Sequence, residues 1–322
     1  MKVVFLGSSD FSLTVLKALL NSHHIVLACV VGVDKKVGRG GKIEYSPVKK
    51  FCLAQNIPFF QYKSISKQGF DSISNLHPDV LVSASFGQIL RQNILDLAPY
   101  GVINVHASIL PKYRGSCPAN WVVINGEKQT GVTIMQTALS LDTGDVLMQK
   151  AFDIKENETA GELLCRLALL GAEMLPQALD LIESGKAVFT RQNESEASYY
   201  PMLKRETSAI DFSKSARGIT NFCLGLNPWP VAWTVANGEV IKVYKAIPQQ
   251  NIWGLDLNNY QCGEVAKSTG KSGLVVKCAD GLVLLDMVQM PNGKILSSKA
   301  LLNGKKIAEG TMLCDKGENS DD

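Results

Sequence analysis

The stretch KVVFLGSSDFSLTVLKALL, residues 2–20, sets the pattern of the first half of the chain. Its apolar run, residues 3–6, stops at Gly7-Ser8-Ser9-Asp10. Apolar residues then recur at helical spacing, which predicts a strand, a tight turn with a capping Ser or Asp, and a helix. Only the first glycine of a GxGxxG motif is present, so we do not interpret the turn as an NAD site.

Similar buried-strand runs follow at residues 25–33, 79–84 and 101–106. Strands separated by helical segments imply βαβ units, and right-handed crossovers then give a doubly wound sheet. We therefore expect an α/β fold whose first domain is a Rossmann-like, doubly wound parallel sheet.

The second half has a different pattern. A long amphipathic helix is predicted over residues 158–181, with a capping signal at its start, and residues 187–208 are polar and irregular. After Ala236, short apolar runs alternate with turn residues, which predicts a small antiparallel β-barrel, OB-like in type. The predicted domains are a catalytic domain (1–188), a linker (189–210), a β-barrel domain (211–314) and a polar tail (315–322).

Composition narrows the class of protein. The chain has 322 residues, of which 46% are hydrophobic and 20% charged, typical of a globular protein with about two domains. Its eight cysteines form no CxxC pair and no zinc-ligand spacing, so we expect free thiols in a reducing compartment. There is no signal-peptide pattern and no long apolar stretch, so we expect a cytoplasmic protein, with monomer as the default.

The residues that suggest chemistry lie in the middle of the chain. Asn104 and His106 stand two apart at the end of a predicted strand, so they share one face, and Asp142-Thr143-Gly144 follows another strand. Each residue alone is better explained as structural. Together they suit acyl transfer to an amine, because amide and imidazole N–H groups can stabilise an oxyanion and a carboxylate can help to move the proton.

With these residues in place, the sequence resembles the folate-dependent formyltransferases. In that family Asn-x-His, a Ser-Leu-Leu-Pro-type loop and a later Asp-x-Gly define the active site. Here they match Asn104, His106, residues 108–111 (with Ile109 for the usual leucine) and residues 142–144. The resemblance implies that Asn104, His106 and Asp142 are catalytic, that 10-formyltetrahydrofolate donates the formyl group, and that no metal is used. It implies a folate pocket lined by Phe86, Gly87, Gln88, Ile89, Leu90, Ser108, Leu110, Pro111, Leu139, Ser140 and Leu141.

The acceptor is predicted from the segment VDKKVGRGGKIEYSPVKK, residues 33–50. Residues 34–50 hold six basic and two acidic side chains, a surplus of four that can lie on phosphates. A solvated surface loop would explain the charge alone. The segment resembles the basic insertion of formyltransferases that act on methionyl-tRNA, which implies tRNA contacts by Lys35, Lys36, Arg39, Lys42 and Lys49.

The C-terminal third also suggests contact with tRNA. Residues 211–314 contain eleven basic and seven acidic residues, and Asn227-Pro228-Trp229-Pro230 resembles the entry to the β-barrel of the tRNA enzymes. The net charge of the whole chain, +3, does not by itself indicate RNA binding. The expected function is transfer of a formyl group to methionyl initiator tRNA.

Three alternatives stay open from the sequence. The first is a formyltransferase acting on a nucleotide-linked amino sugar, since some of these also carry a C-terminal β domain. The second is a tRNA- or folate-binding protein that keeps the three residues for structure. The third is a hydrolase that releases formate, because the same site can admit water in place of an amine.

Overall fold

The computed structural model describes residues 1–37, 42–304 and 307–314. The chain divides into two compact units. One contains Met1–Pro118, Gln129–Asp153 and Leu164–Tyr200, and the other contains Ala119–Lys128, Ile154–Leu163 and the chain from Pro201 onward.

Helices and strands follow the chain as the sequence pattern predicts, with adjusted ends. The helices are α1 Asp10–Leu20, α2 Pro47–Gln55, α3 Ile65–Gln68, α4 Phe70–Ser74, α5 Gln92–Leu95, α6 Pro118–Ile124, α7 Ala160–Glu183, α8 Ala216–Gly225 and α9 Ser298–Leu301. The strands are β1 Lys2–Leu6, β2 Ile25–Val31, β3 Lys35–Val37, β4 Lys42–Glu44, β5 Phe59–Gln61, β6 Val80–Ser83, β7 Val102–His106, β8 Arg114–Gly115, β9 Gln129–Gln136, β10 Val146–Asp153, β11 Tyr199–Tyr200, β12 Ala232–Ala236, β13 Glu239–Gln249, β14 Val265–Thr269, β15 Gly273–Cys278, β16 Gly281–Gln289 and β17 Leu296–Ser297.

The first unit is built on a seven-stranded sheet in the order β10-β9-β7-β6-β1-β2-β5. Strands β5, β2, β1, β6 and β7 are parallel, which confirms the predicted Rossmann-like sheet. At one edge of the sheet the direction changes, because β9 runs antiparallel to both β7 and β10. The chain moves outward from β1 to β5 and then returns to β6, so the strand order reverses beside β1. Ligands bind beyond the carboxyl ends of strands at such a point.

The turn after β1 has the predicted capping role. Ser9 is the N-cap of α1, and its hydroxyl accepts a hydrogen bond from the backbone N–H of Ser12. The Ser12 hydroxyl accepts in return from the N–H of Ser9 and donates to the carbonyl of Ala84. The turn residues are therefore occupied with local structure, in agreement with the rejection of a dinucleotide site.

The predicted long helix is confirmed as α7. At its start, Thr159 and Glu162 form a reciprocal capping box, in which each side chain accepts a hydrogen bond from the other residue's N–H. Beyond the helix, the segment predicted to be irregular differs from expectation, since Tyr199 and Tyr200 form β11 and pair in parallel with β8. This pairing brings residues 190–200 beside the loop that follows β7.

The second unit contains the predicted antiparallel β domain, a six-stranded sheet in the order β12-β13-β16-β15-β14 with β17 paired to β16. Its two edges are joined by one short segment. Cys314 bridges Val235 of β12, and Met312 bridges Glu264, the residue before β14. This double pairing closes the sheet on itself in the manner of a barrel. Among the residues that the structure describes, no helix combines the length and apolar character needed to cross a membrane.

Candidate active site

The predicted catalytic residues lie on strand β7 and on the loop that follows its antiparallel neighbour, β9, in the first unit. Asn104 and His106 belong to β7, and Asp142 lies in the loop between β9 and β10. β9 pairs beside β7, with Asn104 opposite Met135 and His106 opposite Thr133. The sheet register therefore brings together a motif whose parts are nearly 40 residues apart in sequence, as counted from Asn104 to Asp142.

The side chain of Asn104 is oriented by the adjacent strand. Ser83, its register partner in β6, donates from Oγ to Asn104 Oδ1 at 2.9 Å. Because the oxygen accepts this bond, the amide Nδ2 points away from Ser83. In the part of the chain that is described, Nδ2 has no hydrogen-bond partner, so its two N–H groups are free to meet a ligand.

The ring of His106 is buried and held in one tautomer. Its Nε2 lies 3.1 Å from the carbonyl oxygen of Tyr113, and the residue is 6% exposed. A carbonyl oxygen only accepts hydrogen bonds, so Nε2 carries the proton. The other nitrogen, Nδ1, faces Asp142, whose Oδ1 is 3.8 Å away.

Asp142 is held by two hydrogen bonds. Its Oδ2 accepts the backbone N–H of Gly115 at 2.8 Å, and its own carbonyl accepts Gln192 Nε2 at 2.8 Å. Its backbone is left-handed, with φ 54°. Two glycines make this arrangement possible: a Cβ on Gly144 would lie 1.7 Å from the carbonyl oxygen of Gln136, and one on Gly115, whose φ is +104°, would lie 2.3 Å from that of Tyr200.

Behind this loop lies a buried arginine that the sequence reasoning missed. The side chain of Arg114 is fully buried and donates to Gln192 Oε1 at 2.8 and 3.1 Å and to both carboxylate oxygens of Glu194 at 2.7 and 2.8 Å. The hydrogen bonds with Glu194 raise the pKa of Arg114 against the opposing effect of burial. Arg114 likewise lowers the pKa of Glu194. Gln192 in turn donates to the carbonyls of Asp142 and Gly144, so the network supports the Asp142 loop.

A second buried network holds the loop of residues 108–111. The Thr133 hydroxyl donates to the Ser108 carbonyl at 2.7 Å and accepts the N–H of Leu110 at 3.1 Å. Gln149 donates to the Leu110 carbonyl at 2.8 Å. The peptide bond between Leu110 and Pro111 is cis. These contacts connect the loop after β7 to β9 and β10.

Comparison with known proteins identifies the family. A family model described as formyl transferase matches residues 1–179, and one described as formyl transferase, C-terminal domain, matches residues 202–306. A methionyl-tRNA formyltransferase of Acetivibrio thermocellus is 41% identical over 316 residues, which cover 97% of this chain and 99% of that protein. One of Clostridioides difficile is 41% identical over 314 residues, covering 97% of this chain and 100% of that protein.

The chain belongs to the methionyl-tRNA formyltransferase family. This confirms the family that the motifs predicted. Solved formyltransferases share the fold at lower identity. A sugar 3N-formyl transferase has a TM-score of 0.65 at 19% identity and covers 91% of this chain and 99% of that chain. An N-formyltransferase from Helicobacter canadensis, solved with folinic acid and dTDP-3-aminofucose, has a TM-score of 0.65 at 18% identity and covers 92% of this chain and 100% of that chain.

The first predicted folate-binding segment, residues 86–90, follows β6 and is only partly exposed. Ile89 is 84% exposed and Gly87 has a φ of +75° with open space around it. Leu90 and Phe86 instead pack with the core cluster under the sheet. The Gln88 amide is occupied by the backbone, since it accepts the N–H of Ile65 and donates to the carbonyl of Tyr62, both at 2.8 Å.

The other predicted folate-binding residues divide in the same way. Leu139, Ser140 and Leu141 are exposed, the two leucines by 62% and 61%. Leu110 is buried, and the buried Ser108 donates to the Lys112 carbonyl at 2.9 Å, while the following Pro111 is half-buried.

The basic segment predicted to contact tRNA forms a hairpin where it is described. Lys35 and Lys36 lie in β3 and Lys42 lies in β4, which pair in antiparallel fashion. Arg39 lies outside the described residues. The hairpin follows β2, at the carboxyl edge of the sheet.

Lys49 does not fit its predicted role as a phosphate contact. It lies on the buried face of α2 and is 7% exposed, and its Nζ donates to Asp34 Oδ2 at 2.6 Å and to Gln61 Oε1 at 2.8 Å. Its ammonium also lies 4.1 Å from the centroid of the Tyr45 ring. The hydrogen bond from Lys49 lowers the pKa of Asp34. The lysine therefore ties together the two ends of the hairpin segment and has no free charge for RNA.

Proposed function

We propose that this protein transfers the formyl group of 10-formyltetrahydrofolate to the amino group of methionine carried by initiator tRNA. The observation that carries the proposal is full-length similarity: eight methionyl-tRNA formyltransferases are 35–41% identical over 97–98% of this chain. The side chains of Asn104, His106 and Asp142 supply the groups that such a transfer needs.

The reaction begins with attack of the neutral methionine amine on the formyl carbon. A C–N bond forms, the carbonyl oxygen becomes an oxyanion, and the tetrahedral intermediate collapses when the bond to the folate nitrogen breaks. We assign Asn104 as an oxyanion donor. Its Nδ2 suits this role because Ser83 already occupies the amide oxygen, and preorganised donors of this kind are the largest contribution in many acyl transfers.

The second oxyanion donor is the His106 ring in its protonated form. Nε2 is committed to the Tyr113 carbonyl, so Nδ1 is the nitrogen that faces the reacting groups. Nδ1 can donate to the oxyanion when both ring nitrogens carry protons, and the Asp142 carboxylate lies 3.8 Å from Nδ1. Asp142 then accepts the proton that leaves the attacking nitrogen, directly or through one water, and returns it to the departing folate nitrogen.

We place the binding site for the formyl donor at the exposed members of the predicted folate-binding residues. Ile89, Leu139 and Leu141 offer apolar surface, which a flat pterin ring would cover with a gain of about 25 cal/mol per Å² of apolar area removed from water. The buried residues of the set, such as Leu110, support the loops instead. The folate acts as the formyl donor, and the mechanism uses no metal.

We assign RNA binding to two basic regions. The first is the hairpin segment of residues 34–50, with Lys35, Lys36, Arg39 and Lys42 as the contacts and Lys49 as its internal anchor. The second is the β domain, proposed as residues 211–314 and preceded by a linker at residues 189–210 and a catalytic domain at residues 1–188. Phosphate contacts of this kind give affinity and position. We further propose that the protein acts as a monomer in the cytoplasm, where charged initiator tRNA is used.

Transfer of labelled formyl from 10-formyltetrahydrofolate to a panel of acceptors tests the proposal. We expect formylation of methionyl initiator tRNA and none of uncharged tRNA, glycinamide ribonucleotide or a nucleotide-linked amino sugar. An Arg39→Ala variant should weaken use of the tRNA. If the amino sugar is formylated and the tRNA is not, the acceptor assignment is wrong. If formate alone is released, the protein is a hydrolase.

A further inference from the structure

Four side chains with metal-binding groups converge outside the active site, within the first unit. His23 and His24 lie between α1 and β2, and Asp180 and Glu183 lie in the last turn of α7. One donor atom from each lies within 4.8 Å of the others. We propose that these residues form a zinc(II) site that joins the start of β2 to the end of α7.

The spacing of the donor atoms fits a tetrahedral ion. His23 Nε2 lies 3.3 Å from Asp180 Oδ1 and 3.4 Å from Glu183 Oε2, and His24 Nε2 lies 3.2 Å from Asp180 Oδ1. With zinc–ligand bonds of about 2.0–2.2 Å, the ligand atoms of a tetrahedral site lie about 3.3–3.5 Å apart. Three of the six distances between ligand atoms in a tetrahedral site are therefore already present without a metal.

His24 gives a second, independent reason to expect an ion. Its side chain is completely buried, yet Nε2 makes no hydrogen bond of acceptable geometry within the described part of the chain. A buried polar atom without a partner is unfavourable. The carboxylate of Asp180 is close enough to Nε2 to share an ion with it, but it is poorly aligned to accept its proton.

The charges of the cluster suit a divalent cation. The neutral imidazole is the form that binds metals. Two carboxylates at the C-terminal end of a helix, where the helix dipole is negative, offset the charge of a divalent ion.

The Met1 amino group contacts two members of the cluster. It donates to Glu183 Oε1 at 2.9 Å and to His24 Nδ1 at 3.1 Å. This leaves Glu183 Oε2 and His24 Nε2 for the metal. Zinc on Nε2 requires the ring proton on Nδ1, so the amino group then accepts that bond and one proton is released.

Zinc is the ion that this ligand set suits best among the common divalent cations. Imidazole nitrogens favour zinc over magnesium, which prefers six oxygen ligands in octahedral geometry. His23, Asp180 and Glu183 are each about half exposed or more, so an ion can enter from solvent. The alternative is an ion-pair network that anchors Met1 without a metal.

Direct zinc titration distinguishes a zinc site from an ion-pair network without a metal. Metal-free protein without an amino-terminal extension is titrated with zinc against a chromophoric chelator, and bound zinc is counted for the wild type, His23→Asn and Asp180→Asn. Zinc bound by the exposed cysteines (Cys165, Cys262 and Cys314) should be the same in the wild type and both variants. Zinc bound at the proposed site is therefore the difference in bound zinc between the wild type and each variant. His77→Asn, which changes an exposed histidine elsewhere, is the matched control.

We expect the wild type and His77→Asn to bind one zinc more than either site variant, with magnesium unable to compete. Each lost ligand should weaken the site by more than the roughly 10–100-fold that removal of an outer-shell partner produces. Cobalt(II) should give the intense visible absorption of a tetrahedral site in the wild type and in His77→Asn, and in neither site variant. Equal zinc stoichiometry and affinity in the wild type and both site variants would overturn the proposal, as would a cobalt spectrum that His23→Asn leaves unchanged.

Discussion

Replacing Arg114 by Met is predicted to slow the formyl transfer step as well as to destabilise the first unit. Methionine keeps much of the buried stem but removes every donor of the guanidinium. Gln192 is 7% exposed, and its Oε1 then loses both of its hydrogen bonds to Arg114. Without those bonds the Gln192 amide is free to turn away from the carbonyls of Asp142 and Gly144, which it now holds at 2.8 and 2.7 Å.

The stability change is worked out from the lost contacts with Gln192 and Glu194, taken separately. An unsatisfied buried amide oxygen at Gln192 costs about 1–3 kcal/mol. The side chain of Glu194 is 63% exposed, so its lost pairing with Arg114 is discounted to about 0–1 kcal/mol for solvent screening. We therefore expect the Arg114→Met variant to lose about 1–4 kcal/mol in urea denaturation.

The kinetic change is the sharper test. A misplacement of a catalytic group by about 1 Å can reduce a rate by about 100-fold, so kcat should fall by about 10- to 100-fold with little change in KM for the tRNA. Glu194→Gln is the control, since it keeps Gln192 bound to Arg114 and should retain near wild-type kcat. If Arg114→Met is destabilised while its kcat is unchanged, Gln192 does not position Asp142 and the reasoning is refuted.

Three further predictions concern single contacts. Gly144→Ala should lower the unfolding midpoint and abolish transfer, because its Cβ would meet the Gln136 carbonyl. Gly281→Ala, whose Cβ would enter open space, should change neither. Thermal melts and activity assays in which both variants behaved alike would contradict this. Asp34→Asn should lower the melting temperature at neutral pH but not in acid: the pKa of Asp34 is lowered from its ordinary 3.8, so its stabilisation is present above that value and is lost as the pH falls through the folded-state pKa. A difference that persists in strong acid would contradict the ion pair's role. Ile89→Ser should raise KM for the folate by about tenfold through lost apolar contact, and an unchanged KM would remove Ile89 from the donor site.

The parts of the fold and site that the sequence predicted are those that depend on local pattern. Alternation along β7 placed Asn104 and His106 on one face, and turn chemistry predicted the cap of α1. The reversed direction of β9 was not predictable in this way, because an apolar run of strand length carries no information about the direction in which it pairs.

The missed and mistaken residues depend on contacts between distant segments. Arg114 meets Gln192 and Glu194 across 78 and 80 residues of chain, so its loop motif gives no sign of those partners. Lys49 was counted as part of a basic surface, yet a Ser46 cap and Pro47 at the first turn set the phase of α2 and turn Lys49 inward. A count of charged residues along a sequence does not show which of them a helix turns toward the protein interior.

The most direct test of the account is single-turnover transfer with both substrates saturating, comparing the wild type with Asp142→Asn. The amide keeps the size of the carboxylate but cannot accept the amine proton. The account predicts intact folding, normal binding of methionyl initiator tRNA, and a transfer rate lower by about 10²- to 10⁴-fold, the usual contribution of general acid–base catalysis. Transfer by Asp142→Asn at the wild-type rate would contradict it.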